Sequence, residues 1–264
     1  MSTLRDSVVL ISGASSGLGE FLAREFVARG ARVGLLARRA DRLEALAADL
    51  GECAAWQVAD VTDREGFSEA LDRLADTLGG CDVIVANAGY GRPEAPHKFK
   101  PGTATAMYDT NVFGMLHMID WAMPRFVARR SGHIVGIASL ASYVGMPNSP
   151  SYCGSKAAMR VHLQSLRVSL HRYGIAVTTI SPGFVESELT ARNKAPMPFM
   201  WKTDRAARRM ADAIEQRRGE LVFPWQTGGL IRVLARVPVP ITEFFLRRVA
   251  PRARPYQGPE SDAV

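Results

Sequence analysis

The feature that most constrains the fold lies near the start of the chain. A fully apolar run, Val8-Val9-Leu10-Ile11, is followed at once by Ser12-Gly13-Ala14-Ser15-Ser16-Gly17-Leu18-Gly19, and then by apolar residues at helical spacing, Phe21, Leu22, Phe26 and Val27. A short run without polar alternation suits a parallel strand covered on both faces. The glycines behind it permit a tight turn and close backbone approach, and the helix that follows offers unsatisfied N–H groups at the positive end of its dipole. Strand, glycine loop and helix in that order fit a dinucleotide site, with pyrophosphate against the helix N-terminus.

The same alternation continues. Apolar runs at 32–36, 54–58, 83–85, 133–137, 176–180 and 221–223 are separated by helical patterns, among them a long one over about 103–130 and another from Tyr152 to about Tyr173. Strands alternating with helices predict an α/β fold, a doubly wound Rossmann-type parallel sheet of about seven strands. The 264 residues, 47% hydrophobic and 22% charged, are enough for one large core. Thr62-x-x-Glu65 reads as a capping box, and Thr203 as the cap of a helix reaching about Arg217. The expected organisation is a catalytic domain over 1–224, with a lid at 186–203, and an extension over 225–264.

Two local patterns carry chemistry. Ala37-Arg38-Arg39 closes the second strand, where a carboxylate would accept hydrogen bonds from an adenosine ribose 2′-OH and an arginine would accommodate a 2′-phosphate. Cations without a carboxylate there favour NADP(H) over NAD(H), with Arg38 the first choice, Arg39 in support and NAD(H) kept as the alternative. Tyr152 and Lys156 stand four apart on a helix, so the ammonium is expected beside the phenol, favouring phenolate and lowering the phenol pKa. The isolated pair also fits a solvated helix face.

The spacing of Gly13, Gly17 and Gly19, with Asn87-Ala88-Gly89, Thr110-Asn111-Val112-Phe113-Gly114, Ser139, Tyr152-x-x-x-Lys156 and Ser181-Pro182-Gly183, resembles the short-chain dehydrogenase/reductase family along most of the chain. The resemblance implies reversible hydride transfer between a nicotinamide and a carbonyl or secondary alcohol. It implies that Ser139 and Tyr152 hydrogen-bond the carbonyl oxygen, that Tyr152 transfers the proton, that Lys156 binds the nicotinamide ribose, and that Asn111 holds a water resupplying the proton. Cofactor contacts are implied for Gly13, Ser15, Ser16, Gly17, Leu18 and Gly19 in the loop, and for Asp60 and Val61 on the adenine side. They are also implied for Asn87, Ala88 and Gly89, for Pro182, Gly183, Val185 and Ser187 around the nicotinamide, and for Tyr152 and Lys156. Ala86 stands where the family has asparagine, and Ser187 where it often has threonine. Self-association as a homodimer or homotetramer is implied by the resemblance alone.

Charge and cysteines bound the rest. The net charge of +7 is not accompanied by a nucleic-acid motif, so nucleic acid is not an expected partner. Cys53, Cys81 and Cys153 have neither the number nor the spacing of a disulfide framework or metal site, which points to a reducing cytoplasm. No signal peptide or spanning segment is visible. Met197, Phe199, Met200 and Trp201 suit either a lid over an apolar substrate or core packing. In the extension, Leu230, Val233, Leu234 and Val237 share one helical face opposite Arg232 and Arg236, a pattern that fits peripheral membrane contact, a subunit contact or a substrate cover. A cofactor-binding regulator or membrane scaffold without turnover is the alternative class; it would lack one of the four catalytic residue types.

Overall fold

A computed structural model of the chain describes residues 4–94, 100–191 and 197–249. Seven strands form one parallel sheet in the order β3-β2-β1-β4-β5-β6-β7: β1 Val8–Ser12, β2 Arg32–Ala37, β3 Ala54–Val58, β4 Val83–Ala86, β5 Gly132–Ile137, β6 Ile175–Pro182 and β7 Glu220–Phe223. The first three strands step outward, and β4 then returns to pair with the other edge of β1, Val9 opposite Val83 and Ile11 opposite Val85. This reversal opens a crevice beyond the carboxyl ends of β1 and β4, where open α/β sheets place their ligands.

The apolar strands work as the sequence requires. Val9 and Ile11 belong to the core on one face of the sheet, with Leu22 and Phe26 of α1 (Gly17–Ala28) and Met210 of α8 (Thr203–Glu215). Val8 and Leu10 belong to the core on the other, with Phe67 of α3 (Arg64–Leu78), Phe126 of α5 (Gly114–Arg129) and Met159 of α6 (Pro150–Leu170). Successive side chains of one strand therefore serve opposite layers. Each fully buried Leu or Phe contributes roughly 1.5–3 kcal/mol.

Three local expectations are corrected. The third helix is capped by Asp63, whose Oδ1 accepts from the Gly66 amide at 3.2 Å, and not by a Thr62–Glu65 box. Thr62 is drawn to Asp60 instead, donating from both its amide and its hydroxyl. Thr203 is the first residue of α8 rather than its cap, and its hydroxyl donates to the Glu186 carbonyl. The long helical pattern is divided: α4 (Pro101–Tyr108) and α5 are joined by a π-helical turn over Asp109–Phe113, a distortion common at functional sites.

After β7 come α9 (Trp225–Leu234) and α10 (Val239–Val249). On α9, Leu230 and Val233 face solvent, and Arg232, on the other side of the helix, pairs with Glu220 at 2.5 Å. On α10, Phe244 and Phe245 are likewise exposed. No helix among the described residues is long and apolar enough to cross a membrane.

Candidate active site

The glycine loop is fixed by the strand beside it. Ser12 Oγ accepts from the amides of Asn87 and Ala88, both at 3.1 Å, while Asn87 Nδ2 donates to the carbonyls of Ser12 and Gly13 at 3.1 and 3.0 Å. Gly13 has φ +69°, and a Cβ there would stand 2.8 Å from Ala88 Cα, so both conformation and space require glycine. Ser16 precedes α1 without a side-chain cap, leaving the first-turn N–H groups of Gly17, Leu18 and Gly19 for an anion. A Cβ at Gly17 would meet Ser187 at 3.5 Å, which brings the turn after β6 across this loop. The donor set and the close backbone approach fit the pyrophosphate of a dinucleotide.

The two arginines after β2 take different places. Arg39 lies over the loop, donating to Ser15 Oγ from Nε and Nη2 at 3.1 and 3.0 Å and to Ser16 Oγ at 2.6 Å. Arg38, expected as the principal phosphate ligand, is 78% exposed and pairs with Asp60 at 3.7 Å. Glu188, at the start of α7 (Glu188–Ala191), bridges Arg39 at 3.0 Å and Arg42 at 2.7 Å. Its hydrogen bond with Arg39 holds the carboxyl below its ordinary pKa. A carboxylate from the segment after β6 thus occupies the cationic corner beside the loop.

The acid–base group gathers around α6. Asn111, wholly buried in the π-helical turn, accepts from the Tyr90 amide at 2.9 Å and donates to the Tyr90 carbonyl at 3.0 Å and to Ser155 Oγ at 2.9 Å. Ser155 in turn donates to the Tyr152 carbonyl at 2.9 Å. Both amide protons of Asn111 are spent, which makes it a brace between the segment after β4 and α6; only the rest of its acceptor capacity remains for the expected water. Lys156, 4% exposed, donates to the Ile137 carbonyl at 2.8 Å. A Cβ placed on Gly89 would come within 2.9 Å of Asn111 Oδ1 and 3.1 Å of Lys156 Nζ, so one glycine marks where the two converge. Ser139, two residues beyond the end of β5, caps the short turn Leu140–Ser142, its Oγ accepting from the Ala141 amide at 3.2 Å.

The electrostatics differ from the sequence expectation. Tyr152 is half-buried, and its phenol lies deep enough that burial raises its pKa above the ordinary value, opposed by the nearby Ser139 hydroxyl. The ammonium of Lys156 is turned toward Ile137 and does not lower the phenol; its own pKa falls to about 8 through burial. At neutral pH the site therefore holds a protonated phenol beside a serine hydroxyl, with a desolvated lysine one helical turn away.

Three contributors were not anticipated. Glu94 is buried and caps α6 from a distance, accepting from the Ser151 amide at 2.9 Å and its hydroxyl at 2.8 Å. Gly91 backs the tyrosine: a Cβ there would stand 2.7 Å from Tyr152 Cδ2. Ser155 links Asn111 to α6, and its place within Tyr152-x-x-Ser155-Lys156 was a usable signal.

The remaining expected residues are placed as follows. Val61 packs in the core, with its carbonyl bound to His117 Nδ1 at 2.9 Å. Gly183 donates to the Phe223 carbonyl at 2.7 Å, closing the turn that follows Pro182. Val185 bridges to Trp201, which stacks 5.1 Å from Phe223. Of the lid residues, Trp201 is thus core-packed and Phe199 and Met200 are exposed, while 192–196 lie outside the described residues.

Fold and site together define a dinucleotide-binding α/β protein with a serine–tyrosine–lysine group at its sheet's carboxyl edge. A family model described as short chain dehydrogenase matches residues 7–198. An uncharacterized oxidoreductase of Myxococcus xanthus is 37% identical over 94% of this chain and 100% of its own length. A serine 3-dehydrogenase of Agrobacterium fabrum is 38% identical over 69% of this chain and 73% of its own. Among solved structures, a 3-ketoacyl-(acyl-carrier-protein) reductase from Brucella melitensis complexed with NADH has a TM-score of 0.77 and 25% identity, covering 83% of this chain and 97% of that one. The chain belongs to the short-chain dehydrogenase family, and is an oxidoreductase whose chemistry draws on a nicotinamide cofactor.

Proposed function

We propose that the protein interconverts a carbonyl and a secondary alcohol on an apolar substrate, using NADP(H) in preference to NAD(H). The observation that carries the reaction is the convergence of Asn111 and Lys156 at Gly89, beside the helix that also carries Tyr152, whose phenol burial pushes above its ordinary pKa with Ser139 close enough to oppose the rise. When bound, the cofactor supplies or accepts hydride at its nicotinamide. In reduction, Ser139 and Tyr152 orient the carbonyl oxygen, and Tyr152 gives it a proton as the carbon gains hydride; solvent then reprotonates the phenolate. A positioned acid of this kind contributes about 10²–10⁴-fold. With the cofactor bound, Lys156 would hold the nicotinamide ribose, with an ammonium whose pKa burial has already brought down to about 8. Asn111 holds Tyr90 and α6 in register.

Arg39 supports the 2′-phosphate preference. It is braced at the loop by Ser15 and Ser16, and Glu188 already satisfies its guanidinium with an anion that a phosphate can replace. Exposed Phe199 and Met200 beside the turn after β6 support an apolar substrate. The test is a panel of aliphatic, aromatic and hydroxy-acid carbonyls assayed for oxidation of NADPH and NADH. Turnover faster with NADPH supports the reading; faster turnover with NADH, or none with any carbonyl, rejects it.

A further inference from the structure

A second cavity, of about 450 Å³, lies between α6, the β6–β7 edge and α9, and none of the residues assigned above to catalysis or cofactor binding lines it. Its wall carries Arg160, Arg167, Arg232 and Arg236 against a single carboxylate, Glu220. That carboxylate is already engaged on both oxygens, accepting from the Tyr143 hydroxyl at 2.6 Å and pairing with Arg232 at 2.5 Å. Arg167 is anchored, donating to the Val177 carbonyl at 2.9 Å and to Thr179 Oγ1 at 2.7 Å. Arg160 lies over the Tyr143 ring at 4.5 Å, and its Nε is buried without a hydrogen-bond partner.

Four guanidinium groups facing one spent carboxylate repel one another, and a buried N–H without an acceptor is a cost that folding alone does not explain. A dianion removes both difficulties. Guanidinium forks match phosphate oxygens in pairs, and an anchored arginine loses little freedom on binding. We propose that this cavity binds the phosphate group of a ligand, with Arg160 and Arg236 as its principal donors and Arg167 as a fixed wall. The phosphate can belong to a soluble ester or to a lipid headgroup, since Leu230 and Val233 of α9 lie exposed on the same helix as Arg232.

The full-length protein would be titrated with inorganic phosphate by calorimetry at constant ionic strength. It would also be sedimented with phosphatidylcholine vesicles with and without phosphatidic acid. Arg160→Gln and Arg236→Gln are the test variants. Arg39→Gln is the control, because free phosphate can also enter the glycine loop. The expected result is that either cavity variant weakens phosphate affinity by about tenfold while Arg39→Gln retains it. Capture by phosphatidic acid vesicles alone, lost in Arg236→Gln, assigns the phosphate to a headgroup. Exposed Arg236 keeps the test valid if Arg160→Gln fails to fold. Binding that depends on Arg39 and not on the cavity arginines, or no binding to either probe, would overturn the proposal. Neither measurement requires turnover, so the result stands apart from the assigned reaction.

Discussion

The Glu94 carboxylate accepts hydrogen bonds from both the amide and the hydroxyl of Ser151, the residue immediately before Tyr152. A negative charge at the start of α6 satisfies an N–H that no helical carbonyl can reach, and it lies at the favourable end of the helix dipole. The same bond pair ties the segment after β4 to the catalytic helix. Glu94→Ala is expected to cost about 0.5–2 kcal/mol in denaturant unfolding, the range of a lost cap. It should also lower kcat more than it raises the KM for cofactor, and Glu94→Gln, which keeps an acceptor, should recover part of both. A loss of stability with unchanged kcat would reduce Glu94 to a structural cap.

Burial and not the lysine charge governs Tyr152, so the phenol keeps its proton through neutral pH. The group that changes first is Lys156, at about pH 8. The kcat/KM for NADPH in carbonyl reduction should therefore hold steady below pH 8 and fall above it as the ammonium is lost, because this parameter reports the free enzyme's titrations. In Lys156→Arg, whose cation persists, the fall should move to higher pH. A profile whose limit is the same in both proteins would detach Lys156 from it.

The depressed Lys156 pKa is also a statement about stability. A lysine whose folded pKa of about 8 lies below the ordinary 10.5 carries a buried charge at neutral pH, a penalty of about 3 kcal/mol. Between those two values the unfolded chain binds more protons than the folded one, so the lysine's contribution to stability rises with pH in that window. Lys156→Met, free of the penalty, should be more stable than the parent at pH 7, and the gap should narrow as pH rises from about 8 to 10.5. Paired denaturant titrations measure it; a gap independent of pH would contradict the burial argument.

Arg39 and Arg38 are placed differently, and their substitutions should affect cofactor choice unequally. Arg39 is braced against Ser15 and Ser16, whereas Arg38 extends into solvent. Arg39→Ala should raise the KM for NADPH by about tenfold or more while changing that for NADH little, and Arg38→Ala should have a smaller effect. Glu188→Gln, which removes a competing anion from Arg39, should lower the KM for NADPH. Equal effects of the two arginine substitutions would show that the cationic field, not the seated guanidinium, makes the selection.

Much of the architecture was legible because it rests on local patterns. Val8-Val9-Leu10-Ile11 and most of the later apolar runs are strands covered on both faces, the run at 54–58 being the half-open edge, and Gly13, Asn87 and Tyr152-x-x-x-Lys156 stand at spacings the chemistry uses. What escaped depends on distance in space. Glu94 caps a helix 56 residues further on, from a segment with no motif of its own. Arg38 and Arg39 are adjacent and chemically equal, and only the path of the chain after β2 decides which side chain meets the loop. Asp63 displaced the Thr62 capping box because Asp60 offered Thr62 a nearer acceptor. The Tyr152–Lys156 spacing was right, but its electrostatics required knowing that both groups are desolvated and that the ammonium turns to Ile137.

The central claim is that hydride reaches a carbonyl carbon while Tyr152 protonates the oxygen. NADPH deuterated at the transferring C4 position, incubated with a carbonyl the panel identifies, tests both halves at once. The account predicts one deuterium on the carbinol carbon of the product by mass spectrometry, and a rate lower by about 10²–10⁴ in Tyr152→Phe, whose cofactor affinity stays near that of the parent. Oxidation of the cofactor without deuterium at that carbon, or undiminished transfer by Tyr152→Phe, would contradict it.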